Sequence, residues 1–188
     1  LFLDADERAD EAFLGAVKNA IEEFGQTHGA FDCCWRLILD NVWLKRADNF
    51  PRYQTRLVHR RRVAWGDWGH GQKLVENKGL LGKIKEPYDH EAYIHGWEAW
   101  WQKHQKYARQ EAAARLNGGE GEDKAVKLKK LVRALPLWAE GLWVVRYILT
   151  GAFIFEGKAA YDYCTWRWRY ERLIGREYRR MKKEKARA

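Results

Sequence analysis

Apolar positions along the 188-residue chain read first as a string of helices. From Asp4 to Phe24, the side chains of Phe13, Leu14, Val17, Ala20, Ile21 and Phe24 recur at three- and four-residue spacing. Acids fill the first turn, where the helix dipole favours them, and Gly25 and Gly29 close the element. A second helix is expected from about Phe31 to Ala47, with Trp35, Ile38, Leu39, Val42 and Trp43 on one side. Asp48-Asn49-Phe50-Pro51 ends it. Residues 52–64 keep no clear period and hold the basic run Arg60-Arg61-Arg62. Between about 65 and 86, glycines at 66, 69, 71, 79 and 82 predict an irregular segment. Pro87 and Asp89 are start signals for a long helix to about Leu116. Asn117-Gly118-Gly119-Glu120-Gly121 is turn-forming, and Asp123 suits an N-cap for a basic helix from Lys124 to Arg133.

Leu135 to Phe155 is almost wholly apolar apart from Glu140 and Arg146. As a helix it would span roughly 31 Å, about the thickness of a bilayer core. Each central charge would cost about 2.5–3.5 kcal/mol on insertion. Leu131, Leu135, Trp138, Leu142, Val145 and Leu149 also form a heptad-like seam. Two readings stay open: a buried or interface helix, or a membrane-embedded one in which Glu140 and Arg146 find partners. Beyond Ala159, the spacing of Tyr163, Trp166, Tyr170, Leu173 and Ile174 predicts one long basic helix. The expected fold is all-α, several long amphipathic helices in an extended arrangement. Its divisions are a helical pair at 1–50, the Gly-rich segment plus long helix at 51–116, a loop at 117–123, and the apolar and basic helices at 124–188.

Composition sharpens this picture in three ways. Eleven tryptophans are many for one domain, and Trp is enriched where chains meet. Half of them suit a helical core and the remainder suit partner surfaces. The net charge of +9 is uneven: residues 1–28 carry −5 and residues 156–188 carry +6. A basic end suits phosphate backbones, anionic lipid or acidic proteins. Three cysteines, two of them adjacent, make a poor disulfide framework and favour a reducing compartment. The chain begins at Leu1, a start compatible with a removed targeting segment.

Candidate chemistry is sparse. His90-Glu91 with His95 lacks the four-residue histidine spacing of a zinc helix. Cys33 and Cys34 would point apart on a helix, so they chelate poorly. Gly66-Asp67-Trp68-Gly69-His70-Gly71 lacks the phosphate-loop pattern, and the sequence contains no serine. No catalytic residue, cofactor, metal or small-molecule substrate is expected. Trp166-Arg167-Trp168-Arg169-Tyr170, followed by Arg179-Arg180, can serve as an aromatic packing stripe or as an RNA-binding one.

The stretch Asp67-Trp68, then Lys73-Leu74-Val75, then Gly79-Leu80-Leu81 resembles a segment of subunit d of the mitochondrial ATP synthase. In that family a proline-containing link leads into a long helix, as Lys85-Glu86-Pro87-Tyr88-Asp89 would here. The resemblance covers residues 67–89. It implies a non-catalytic peripheral-stalk subunit of a mitochondrial inner-membrane complex, at the membrane or its matrix face, supporting proton-driven ATP synthesis. Trp68, Val75, Gly79 and Leu80 would then meet neighbouring subunits. Trp166, Trp168 and Tyr170 in the tail are expected to bind partner chains as well, with lipid as a further partner. The apolar stretch 135–155 and the basic tail depart from that family's pattern. The alternative is a mitochondrial ribosomal protein that meets rRNA through its basic aromatic tail.

Overall fold

The computed structural model describes residues 1–68, 71–116, 144–145 and 147–187. It is mixed α/β, which overturns the all-α expectation. The chain divides into two compact units, one of residues 1–67 with 72–94 and one of residues 68–71 with 95–188.

In the first unit, strand β1 (Glu7–Arg8) precedes helix α1 (Glu11–Phe24). Then come β2 (His28–Leu39), β3 (Val42–Trp43), β4 (Tyr53–Val58), β5 (Val63–Trp68), β6 (Gly71–Asn77) and β7 (Leu80–His90). β2 is the centre of a five-stranded sheet. One of its edges pairs with β7 in parallel; the other takes β4 on its first half and β3 on its last residues, both antiparallel. β1 pairs antiparallel on the far side of β7, while β5 and β6 make a separate two-stranded sheet. α1 lays Phe13 and Val17 on one sheet face, against Phe31, Cys33, Leu57, Ile84 and Tyr88. The helix is capped by Asp10, whose Oδ1 accepts from the Phe13 N–H at 2.8 Å.

The helix expected from Phe31 to Ala47 is therefore largely strand, and the one expected from Pro87 begins only at Gly96, for identifiable reasons. The run from His28 to Leu39 is buried on both faces, so its apolar residues do not alternate and mimic a helical period. Register shifts between Phe31 and Asp32 and between Cys33 and Trp35 add to this; the adjacent Cys33 and Cys34 are both fully buried. Asp40 and Asn41, with φ of 50° and 61°, form the two-residue turn into β3. The segment 65–86 is not irregular but largely β5, β6 and β7. Its glycines allow close approach: a Cβ on Gly82 would lie 2.4 Å from the Phe31 ring, and one on Gly79 would lie 2.4 Å from the Gly29 nitrogen. Pro87 does not start a helix. It sits inside β7, where a four-residue step from Ile84 to Tyr88 opposes only Cys33 to Trp35.

In the second unit, α2 (Gly96–Leu116), the short α3 (Ala152–Phe155) and the long α4 (Gly157–Lys185) are helical. α2 and α4 pack through an aromatic cluster. Trp97 stacks on Trp166 at 5.1 Å between centroids, and Trp100 lies edge-on to Tyr170 at 5.9 Å. His104 stacks on Trp100 at 3.6 Å and donates to its carbonyl at 2.7 Å. Arg115 with Glu171 and Arg109 with Glu177 flank the cluster. The expected loop at 117–123, the helix from Lys124 to Arg133, Glu140 and Arg146 lie outside the described residues. Among the described residues, no helix is long and apolar enough to cross a membrane.

Candidate functional site

Because β2 and β7 run parallel, their carboxyl ends lie side by side, with Arg36 opposite Asp89 and Leu37 opposite His90. Open α/β sheets use this end for ligands, since connecting segments there present side chains over exposed strand termini. Here the acidic segment Asp4–Asp10 crosses it, drawn in by the pairing of Glu7 with His90 and Arg8 with Asp89.

A buried network fixes that segment. The Glu7 side chain is only 1% exposed and the Arg56 side chain only 5%, and the two are in direct contact. The Glu7 carboxylate also accepts from the Tyr88 hydroxyl at 3.2 Å and from the Asp4 N–H at 2.9 Å. Arg56 donates to Asp4 Oδ2 at 2.6 Å and, through Nε, to the Tyr88 oxygen at 3.3 Å. Burial pushes the Tyr88 phenol above its usual range. Burial alone would lower the Arg56 guanidinium, but the Tyr88 hydrogen bond and the charge of Glu7 more than reverse that. A second clamp sits beside it: Arg36 donates to Asp89 Oδ1 at 2.6 Å and to Asp10 Oδ2 at 2.7 Å. The Phe13 N–H and then Arg36 hold the Asp10 carboxyl below its ordinary value.

On this frame stand Asp4, Asp6 and His90. The Asp4 side chain is 64% exposed. Asp6 Oδ2 lies 3.7 Å from His90 Nε2, with both side chains about a quarter exposed. The His90 ring meets the edge of Trp35 at 6.3 Å. The frame thus offers carboxylate acceptors and an imidazole at a partly open surface. Among the described residues no group of three or more His, Cys, Asp or Glu is placed to hold a metal ion. His90, Glu91 and His95 do not form a cluster: Glu91 pairs with Arg8 and His95 is exposed. All three cysteines are buried and free.

The residues singled out from sequence lie elsewhere. Trp68 ends β5, Val75 is in β6, Gly79 joins β6 to β7, and Leu80 opens β7. These are strand and turn positions. Trp166 and Tyr170 pack against α2 of the same chain, whereas Trp168 lies among the arginines of α4. The sequence reading missed the carboxyl-end site because its acids looked like a helix first turn. Its only local signal was the grouping of Asp4, Asp6 and Glu7 ahead of the Asp10 cap. Comparison with known proteins gave no match to any family, characterised protein or solved structure. The mitochondrial and ATP-synthase expectation gains no support from it, and the all-α architecture expected with it is overturned.

Proposed function

We propose that the α/β unit binds a small polar ligand at the carboxyl ends of β2 and β7, contacting it through Asp4, Asp6 and His90. The observation that carries this reading is the contrast in burial: a buried Glu7–Arg56–Tyr88 network holds the largely exposed Asp4 carboxylate, and the partly exposed Asp6 and His90 stand beside it. Carboxylates are acceptors only, so the matching ligand carries hydroxyl or amine donors. Residues kept for binding are neutral or costly to stability, whereas residues that hold the fold destabilise it when changed. Asp6→Asn and His90→Gln should therefore leave the melting temperature unchanged or raised, while Glu7→Gln lowers it. Resonances of β1 and β7 should shift on titration with a panel of sugars, polyols and diamines, and the Asp6→Asn variant should lose those shifts. Equal destabilisation by Asp6→Asn and Glu7→Gln would make this end a structural clamp and end the proposal. So would a panel that moves no resonance.

A second reading, a component that packs against other chains, rests on a separate observation. Val75, Leu80 and Leu81 are 65%, 61% and 53% exposed in the β6–β7 region. Apolar surface of that kind marks contact sites when it is contiguous. Val75→Asp with Leu80→Asp should then release the chain from its native-gel assembly while leaving ligand titration intact.

A further inference from the structure

Helix α4 carries a second surface, independent of the carboxyl-end site. Its packed face is Tyr163, Trp166, Tyr170 and Ile174. The opposite row is Lys158, Arg169, Arg172, Arg176, Arg179 and Lys183, all exposed and spaced by three, four or eleven residues, which are whole turns of a helix. Tyr161 and Trp168 stand in the same row, and Asp162, paired with Lys158, is the acid among them. At 1.5 Å per residue the helix is roughly 43 Å long, so this is an extended basic stripe with aromatic members.

The stripe continues into apolar surface at its amino-terminal end. Ile148, Leu149, Phe153, Ile154 and Phe155 are 56%, 79%, 46%, 66% and 65% exposed. Tyr147 connects the two, with its ring 6.0 Å from Phe153 and 6.3 Å from Tyr161. Exposed apolar side chains beside a basic, aromatic-bearing helix face are what an interfacial element needs. The apolar groups enter the acyl boundary, and the cations meet anionic headgroups. Nucleic acid would use the cations but has no place for five exposed aliphatic and phenyl groups.

We propose that this surface binds the face of an anionic phospholipid bilayer, with residues 148–155 inserted at the headgroup boundary and α4 lying along it. The chain attaches to the membrane surface and does not cross it through these residues.

Flotation of the full chain with vesicles tests this. The vesicles are phosphatidylcholine alone, or the same lipid with about a third phosphatidylserine. Each base near an anionic surface contributes about fivefold to binding. Changing Arg169, Arg172, Arg176 and Arg179 to Gln should thus lower the partition onto anionic vesicles at least a hundredfold and flatten its salt dependence. Leu149→Asp with Ile154→Asp should remove the part of binding that survives high salt, with the melting temperature unchanged because both residues are exposed. A chain that partitions equally onto both vesicle types, or onto neither, overturns the proposal, and this needs no variant at all. So does retention of single-stranded RNA, lost in the arginine set alone, by a chain that ignores vesicles.

Discussion

Removing the Arg56 guanidinium tests whether the acidic segment is held by a buried charge network. Arg56→Met keeps the aliphatic bulk against Phe2, whose ring lies 5.5 Å from the guanidinium carbon. It leaves Glu7, with a side chain 1% exposed, to the Tyr88 hydroxyl and the Asp4 N–H. An uncompensated buried carboxylate costs about 3–5 kcal/mol. Glu7→Gln is milder, since Arg56 keeps Asp4 at 2.6 Å and that carboxylate is largely solvated. It should cost about 1–3 kcal/mol, the penalty for a weakened buried hydrogen bond. In the double variant neither charge remains buried and unpaired, so the two losses should not add: a coupling of about 1–3 kcal/mol is expected. Urea unfolding at pH 7, with the slope checked for constancy, measures all three. A loss below about 1 kcal/mol in Arg56→Met, or additivity within about 0.5 kcal/mol in the double variant, would refute the reasoning.

Asp10→Ala removes both the α1 cap and a partner of Arg36, so chemical denaturation should show a loss of about 1–2 kcal/mol. Because the folded Asp10 carboxyl is held below its ordinary value of 3.8, its stabilisation is present above that value and is lost as pH falls through the folded one. The variant should therefore have a flatter stability profile below about pH 4. Burial raises the Cys33 thiol from 9.0 to about 11, so the neutral thiol favours the fold. Its contribution is complete below pH 9 and is lost as pH rises towards 11. The free energy of unfolding from urea titrations should fall over that window in the parent chain and less in Cys33→Val, the difference reaching roughly 2–3 kcal/mol at the upper end. Gly82→Ala places a methyl 2.4 Å from the Phe31 ring and should lower the melting temperature, whereas Gly71→Ala, with nothing within 4 Å, should not.

α1 and α4 were legible in the sequence because each has one solvent face and therefore a clean period. Phe13 and Val17 in α1, and Tyr163, Tyr170 and Ile174 in α4, are buried in the spacing the pattern predicts. β2 was not legible, because a strand covered on both faces loses the alternation by which strands are recognised. A local signal was nevertheless present: Asp40-Asn41 between Leu39 and Val42 is a two-residue hairpin turn. Gly79 and Gly82 have the look of breakers in the sequence, yet what they permit is the close approach of the β7 end to β2. The carboxyl-end site is harder still. Glu7, Arg56 and Tyr88 are 49 and 81 residues from their contacts along the chain, and no spacing rule connects them.

The tryptophans show how a compositional signal can be right in kind and misplaced in meaning. Their number suggested that many face other chains, since Trp is costly to leave exposed and common at interfaces. In the structure Trp97, Trp100, Trp101 and Trp166 meet one another within a single α2–α4 cluster. Trp35 donates to the buried Asp48, Trp43 meets Phe50, and Trp65 meets Phe2. Indole surface is thus consumed largely inside the chain, and the aromatic stripe of α4 is a packing face. The arginines left over on that helix then need their own account, because a packing face explains none of them. A row of exposed cations ending in exposed phenyl and aliphatic groups matches a charged, layered surface better than another folded core. Trp168 is the tryptophan that stands in the basic row: Arg172 lies 5.5 Å over its ring. If α4 lies on a bilayer, quenching by bromine-labelled lipid should single out Trp168. In a Trp168→Phe chain that quenching should disappear, although ten indoles remain. Quenching undiminished in that variant would place another tryptophan at the lipid and remove the basic row from the interface.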